Sequence, residues 1–266
     1  MIGKSKIEAV DFGSSHIRVL EISFRGERPV ISYYNELDIS TVPPEKRIDT
    51  IKTEGKQFFK KIPSKRIIIS LPGRGILIRT VTTPKIVSKK LKNILKFEIQ
   101  QQIPFPIEVV EWSYQIFSEI ENNFQVFLCA IKKDLVNEFI SYFNPFNLDI
   151  EHLETDFFAL YNLFRFSPYF NENKCQGVLE IGARSSNLII LHKEKILMRA
   201  LTTSGDTITS SISEAGQIEF GEAEKMKIEK GLDLPAVSSA MESLQREVQN
   251  SLDYWRYTIK GQDINE

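Results

Sequence analysis

The pattern that most constrains this chain occurs twice. Residues 7–22 read as a strand, a tight glycine turn and a second strand, with Asp11-x-Gly13-x-Ser15 at the turn. Residues 177–192 repeat the plan, with Glu180-x-Gly182-x-x-Ser185-Ser186-Asn187. Each unit ends a strand on an acid, turns on glycine and follows with hydroxyls. Glycine lets backbone N–H groups approach an anion, and hydroxyls add donors. A carboxylate can hold a hydrated Mg²⁺ that offsets phosphate charge. Two such hairpins facing one another would clamp a phosphate tail between two halves of an α/β molecule. Ser204-Gly205-Asp206 opens a helix, a third anion-friendly element. Taken singly, each hairpin is also an ordinary tight turn.

Composition narrows the class. The chain has 266 residues, 42% hydrophobic and 26% charged, which is globular and sets one large or two ordinary domains. Lys+Arg number 34 against Asp+Glu 35, a balance that argues against a general nucleic-acid binder. Two cysteines exclude a disulfide-dense scaffold; Cys129 reads as a small core residue and Cys175 as part of a polar loop. Met1–Lys6 lacks the apolar core of a signal peptide, and the longest apolar run is Val126–Ile131. A span needs about 20 apolar residues, so a cytoplasmic chain is predicted, brought to any membrane by a partner.

Periodicity supplies the remaining elements. Strands are predicted at 29–34, 66–71, 76–81, 112–117, 124–131 and 148–153, and a hairpin at 188–201 turning on Lys193-Glu194-Lys195. Helices are predicted at 48–62 (despite Gly55), from Ser88 as cap through Leu91, Ile94, Leu95 and Ile99, and from Asp134 as cap through Leu135, Val136, Phe139, Ile140 and Phe143. Others fall at 156–166, 205–212 and 219–230, with 167–176 as a linker. The last helix follows Pro235, with Val237, Met241, Leu244, Val248, Leu252, Trp255 and Ile259 in one stripe. Such a stripe must be covered, by earlier strands or by elements beyond Glu266.

Four stretches carry a resemblance: Ser70-Leu71-Pro72-Gly73; Thr82-Thr83-Pro84; Phe97-Glu98 through Ile103-Pro104-Phe105-Pro106-Ile107-Glu108; and Trp112-Ser113-Tyr114-Gln115. With Ser251-Leu252-Asp253-Tyr254-Trp255-Arg256 they resemble the PilM family of type IV pilus assembly, relatives of the cell-division protein FtsA. The resemblance implies an actin-like, ribonuclease H-like two-lobed fold with an inserted strand-helix-strand-strand (SHS2) subdomain. On this sequence the first lobe takes 1–64 and 145–170, the insert 65–144, and an incomplete second lobe 177–266. ATP with Mg²⁺ in the cleft is implied, Asp11 meeting the metal through water. The first phosphate motif falls on Asp11, Gly13, Ser14, Ser15 and Arg18. The second falls on Glu180, Gly182, Ser185, Ser186 and Asn187. The following turn falls on Ser204, Gly205 and Asp206, and the nucleoside helix on Glu224 and Lys227. Phe12 stands for a usual isoleucine and Ser204 for a glycine. Glu180 stands for an aspartate, moving its carboxylate roughly 1.5 Å further out. The family continues past its last helix, so a truncated chain is expected. The implied partner is a PilN-like inner-membrane protein whose cytoplasmic N-terminal peptide docks in a groove near the insert.

Each feature also has a plainer reading. Glu224 and Lys227 can be a solvated helix face, and Ile103–Pro106 a helix stop. The basic run Arg79, Lys85, Lys89, Lys90, Lys92 and Lys96 reads as a solvated face, with membrane or partner contact as the alternative. His16, His152 and His192 show no metal spacing. A scaffold that binds ATP with weak or no hydrolysis is expected. The rivals are a nucleotide-free interaction module like the type II secretion protein GspL, and a small-molecule kinase of the same superfamily.

Overall fold

The computed structural model describes residues 6–26, 28–71, 75–86 and 88–264. The Pro72-Gly73 turn and the capping side chain of Ser88 lie outside the described residues. Three sheets form. The first has the order β3-β2-β1-β4-β8: β1 (Lys6–Phe12), β2 (His16–Arg25), β3 (Arg28–Asp38), β4 (Arg66–Leu71) and β8 (Asp149–Thr155). β2 runs antiparallel to β1 and β3, while β4 is parallel to both β1 and β8. Register aligns Asp11 with Ser70, and Ser70 with Glu154, at the carboxyl ends of three parallel strands. In open α/β sheets that edge is where ligands bind.

Helices α1 (Arg47–Lys60) and α3 (Lys133–Ser141) cover one face of this sheet. Phe58, Phe59, Phe139, Phe143 and Phe146 pack there on Val10, Phe12, Ile67 and Ile69. Gly55 sits inside α1 because the Phe146 ring occupies the space of its missing side chain; an added Cβ would lie 2.8 Å from that ring. The third sheet, β5-β7-β6, comprises β5 (Leu77–Pro84), β6 (Val110–Ile120) and β7 (Asn123–Lys132), with α2 (Ser88–Gln102) on one face. β4 and α3, counted with the insert on sequence, belong structurally with the first sheet, because their apolar side chains pack in its core.

The second sheet, β11-β10-β9, comprises β9 (Gln176–Ile181), β10 (Ser186–His192) and β11 (Lys195–Leu201). β10 is buried throughout, being covered on both faces. α4 (Asp156–Arg165) covers one side and joins all three sheets. Its Phe158 and Tyr161 meet Phe127 edge-on at 5.2 and 5.6 Å between ring centres, and Phe127 stacks on Phe117 at 4.2 Å. α7 (Pro235–Tyr257) covers the other side, with Leu244 and Trp255 against Leu188, Ile190 and Leu201. Strands of the second sheet therefore cover the apolar stripe from Leu244 onward. Its N-terminal turns pack on α5 (Gly205–Gly216) and α6 (Phe220–Lys230).

Four local expectations change. Cys175 is fully buried beneath α7, its thiol donating to the Gln262 carbonyl at 3.1 Å. Ile94 and Leu135 are each 40% exposed, because their stripes turn away from the sheets at those positions. Asp134 lies inside α3 rather than capping it, its carboxylate accepting from the Leu135 N–H at 2.9 Å. The 167–176 segment folds back on itself: Gln176 donates to the Tyr169 carbonyl and accepts from the Asn171 N–H.

Leu244→Ala should cost ~3 kcal/mol in urea unfolding, against ~0.5 or less for exposed Leu163→Ala; equal effects would show that α7 does not seat there. Glu8 gives a pH test. Only 4% exposed, it faces Glu21 across the β1–β2 ladder. Burial lifts its carboxyl above the ordinary 4.5, the Ser64 N–H draws it back, and Glu21 lifts it again. A raised carboxyl favours folding when protonated, and that support is lost as pH rises through the folded value. Glu8→Gln should melt above the parent at pH 7, with the gap closing as pH falls toward 4.5.

Candidate functional site

The two glycine turns meet across one cavity of about 320 Å³. They are built alike. A Cβ on Gly13 would lie 2.6 Å from the His16 carbonyl oxygen, and one on Gly182 would lie 2.6 Å from that of Ser185. No side chain fits either position, so glycine is required by close approach. The residues opposite the acids also correspond: Asp11 pairs with Arg18 across its ladder, and Glu180 with Asn187.

On the first wall, Asp11 accepts from Arg18 Nη1 and from Ser70 Oγ, both at 3.3 Å. Arg18 also reaches Glu36 at 3.0 Å, so the guanidinium is shared between two carboxylates. Ser14 and Ser15 line the turn beside them. On the second wall, Asn187 donates to Glu180 at 2.6 Å and to Asp156 at 3.3 Å. Burial in the cavity wall lifts the Glu180 carboxyl above its ordinary value; the Asn187 bond opposes this, and the nearby charges of Asp156 and Asp11 add to it. Asn187 is 2% exposed, and its Oδ1 meets no donor among the described residues. A buried acceptor left open is rare and points to a missing donor or cation.

A second concavity of about 830 Å³ lies between the third sheet and the first. Ser113, Cys129 and Ile131 line one wall, and Val136, Ile140, Leu153 and Phe158 the other. Burial pushes the Cys129 thiol up to about 12, with Glu154 adding to the shift, so it stays an un-ionised wall group.

A model of the type IV pilus assembly protein PilM family matches residues 9–263. The chain belongs to that family. A solved PilM-PilN type IV pilus biogenesis complex matches with a TM-score of 0.81 at 23% identity, covering 94% of this chain and 77% of that one. The cytoplasmic domain of EpsL, an inner-membrane component of the Vibrio cholerae type II secretion system, matches at 0.46 and 10% identity, covering 79% and 75%. The ethanolamine utilization protein EutJ of Carboxydothermus hydrogenoformans matches at 0.45 and 12%, covering 98% and 74%. The fold of this PilM-family chain is α/β and actin-like.

Nine of the residues singled out from sequence line the interlobe cavity: Asp11, Gly13, Ser14, Ser15, Arg18, Glu180, Gly182, Ser185 and Asn187. The other five do not. Ser186 is buried and donates to the Thr203 carbonyl at 2.6 Å. The Gly205 and Asp206 N–H groups are taken by the Gly182 and Ala183 carbonyls, at 2.9 and 2.7 Å, so this helix end offers them to no ligand. The Asp206 carboxylate is bound bidentately by Arg47 of α1, at 2.5 and 2.9 Å. Lys227 donates to Glu224 and to Thr209, at 2.7 and 2.8 Å, so those charges satisfy one another. Sequence reading missed Ser70, Asp156 and His16, which line the cavity from β4, α4 and the first turn. Asp156 follows the end of β8 directly, and strand ends on the Asp11 edge were the signal available.

Arg47→Met should cost ~3–5 kcal/mol, since it strands a buried carboxylate. Arg47→Met with Asp206→Leu should recover most of that loss in urea titrations; no recovery would mean that Asp206 serves something other than Arg47.

Proposed function

We propose that this PilM-family chain is a cytoplasmic, nucleotide-binding scaffold of pilus assembly, held peripherally at the inner membrane by a PilN-like protein. The single observation that carries the nucleotide half is the matched pair of glycine turns facing into one cavity. The residues present fit a phosphate tail with Mg²⁺. Each turn makes room where a Cβ would collide, Ser14 and Ser15 add hydroxyls, and Asn187 Oδ1 is an unmet acceptor between carboxylates. Bound Mg²⁺ would neutralise phosphate charge. Asp11, joined to Ser70 and Arg18, would hold its water shell, and Arg18 would orient that carboxylate. Glu180 and Asp156 are both tied to Asn187, which supports binding with weak or no hydrolysis.

For the partner half, the groove between the third and first sheets supports capture of an extended peptide. It is lined by strands of the insert, and apolar residues such as Ile76, Ile131, Val136 and Ile140 alternate with polar ones such as Gln115, Asn137 and Glu154. The PilN-like N-terminal peptide is the occupant this reading assigns.

A nucleotide-free reading rests on one specific observation: the Gly182, Gly205 and Asp206 amides already hold backbone carbonyls, which leaves the second wall poor in donors. Calorimetry with Mg-ATP decides. Binding should be seen for the parent and fall at least ~10-fold in Asp11→Ala; equal heats would reject the cavity. Ser113→Arg, on the exposed groove wall, should abolish binding of a PilN-like peptide and leave the nucleotide heat unchanged. Unaltered peptide binding would place the partner elsewhere.

A further inference from the structure

The lysine-rich helix α2 has no part in the cavity or the groove. It lays Leu91, Leu95 and Ile99 on the face of the third sheet that carries Val126, Leu128 and Ala130. Cys129 and Ile131 point to the opposite face, into the groove, as alternation along a strand requires. The outward side of α2 is therefore clear of both sites. Lys90 stands on it and Lys92 and Lys96 run along one flank, all exposed. Beside Lys90 stand Ile94, 40% exposed, and Phe97, 61% exposed. A spacing of three puts these two on neighbouring turns of one face. The sole carboxylate of α2, Glu98, is half-buried at the flank, so the outer side carries one sign of charge.

We infer that the outer face of α2 docks on an anionic lipid surface. The chemistry is that of an interfacial helix: ammonium groups meet acidic headgroups while Phe97 and Ile94 enter the boundary with the acyl chains. A protein partner fits less well, because lysine is depleted from protein interfaces. No described helix is long and apolar enough to cross a membrane, so contact of this kind is peripheral. The inference is independent of nucleotide and peptide binding, since its test contains neither.

The test is co-sedimentation of the full chain with vesicles of phosphatidylcholine alone or mixed with phosphatidylglycerol. Binding is expected on the mixed vesicles only, weakening as salt rises. K90Q/K92Q/K96Q should weaken it about a hundredfold, about fivefold per lysine. Phe97→Ser, with charge unchanged, should weaken it roughly tenfold or more. These side chains are exposed, so melting curves of both variants should overlay the parent. Equal binding to neutral and acidic vesicles, or undiminished binding by the triple variant, overturns the inference. A photo-crosslinker at position 97 that captures protein rather than lipid in cell membranes overturns it too, in favour of a protein interface.

Discussion

A buried guanidinium from the first half of the chain grips a buried carboxylate from the second, and the cavity depends on that grip. Arg47 is anchored on its own side by the Ser40 and Val42 carbonyls, and its planar head lies over the Phe220 ring. Asp206 is anchored on its side by its N–H bond to Ala183, next to Gly182. One ion pair thus connects α1 to the turn that forms the second wall. Burying two charges is expensive, and the cost is offset only when the pair is aligned and well hydrogen-bonded; here four bonds from Arg47 are made, two of them to Asp206. It therefore holds α1 against the start of α5 in one bidentate geometry.

On the other side of the cavity the placement is set by α4. Its aromatic face closes against Phe127 of the third sheet and Ile189 and Leu191 of the second. Asp156, at the start of the same helix, reaches Asn187 inside the cavity. The helix that ties the sheets together therefore also contributes a polar group to the site. A change in the cavity has a short physical route to the junction beside the groove, through Asn187, Asp156 and α4.

Much of the site was legible because its signal is local. A glycine between an acid and a hydroxyl, repeated with the same flanking alternation, is a backbone requirement written in a few adjacent residues. Asp11, Gly13, Glu180, Gly182 and Asn187 could be read that way. Asp206, Glu224 and Lys227 could not, because charged residues near a helix start look the same whether they face a ligand or one another. Arg47 gave no local sign at all: its partner lies on another helix, far along the chain. Cys175 sat in a polar run, and contacts with α7, the second sheet and the segment after α7 bury it.

The sequence by itself determined the strands, the turns, the helices and the family, since period-two and period-3.6 patterns and glycine positions act over a few residues. It determined that two acid-glycine-hydroxyl turns exist. Only the tertiary structure decided that they face one another, that strands cover the α7 stripe, and which charges were spent on holding the halves together. Those outcomes depend on contacts between residues far apart in the chain, and no window of neighbouring residues encodes their distance.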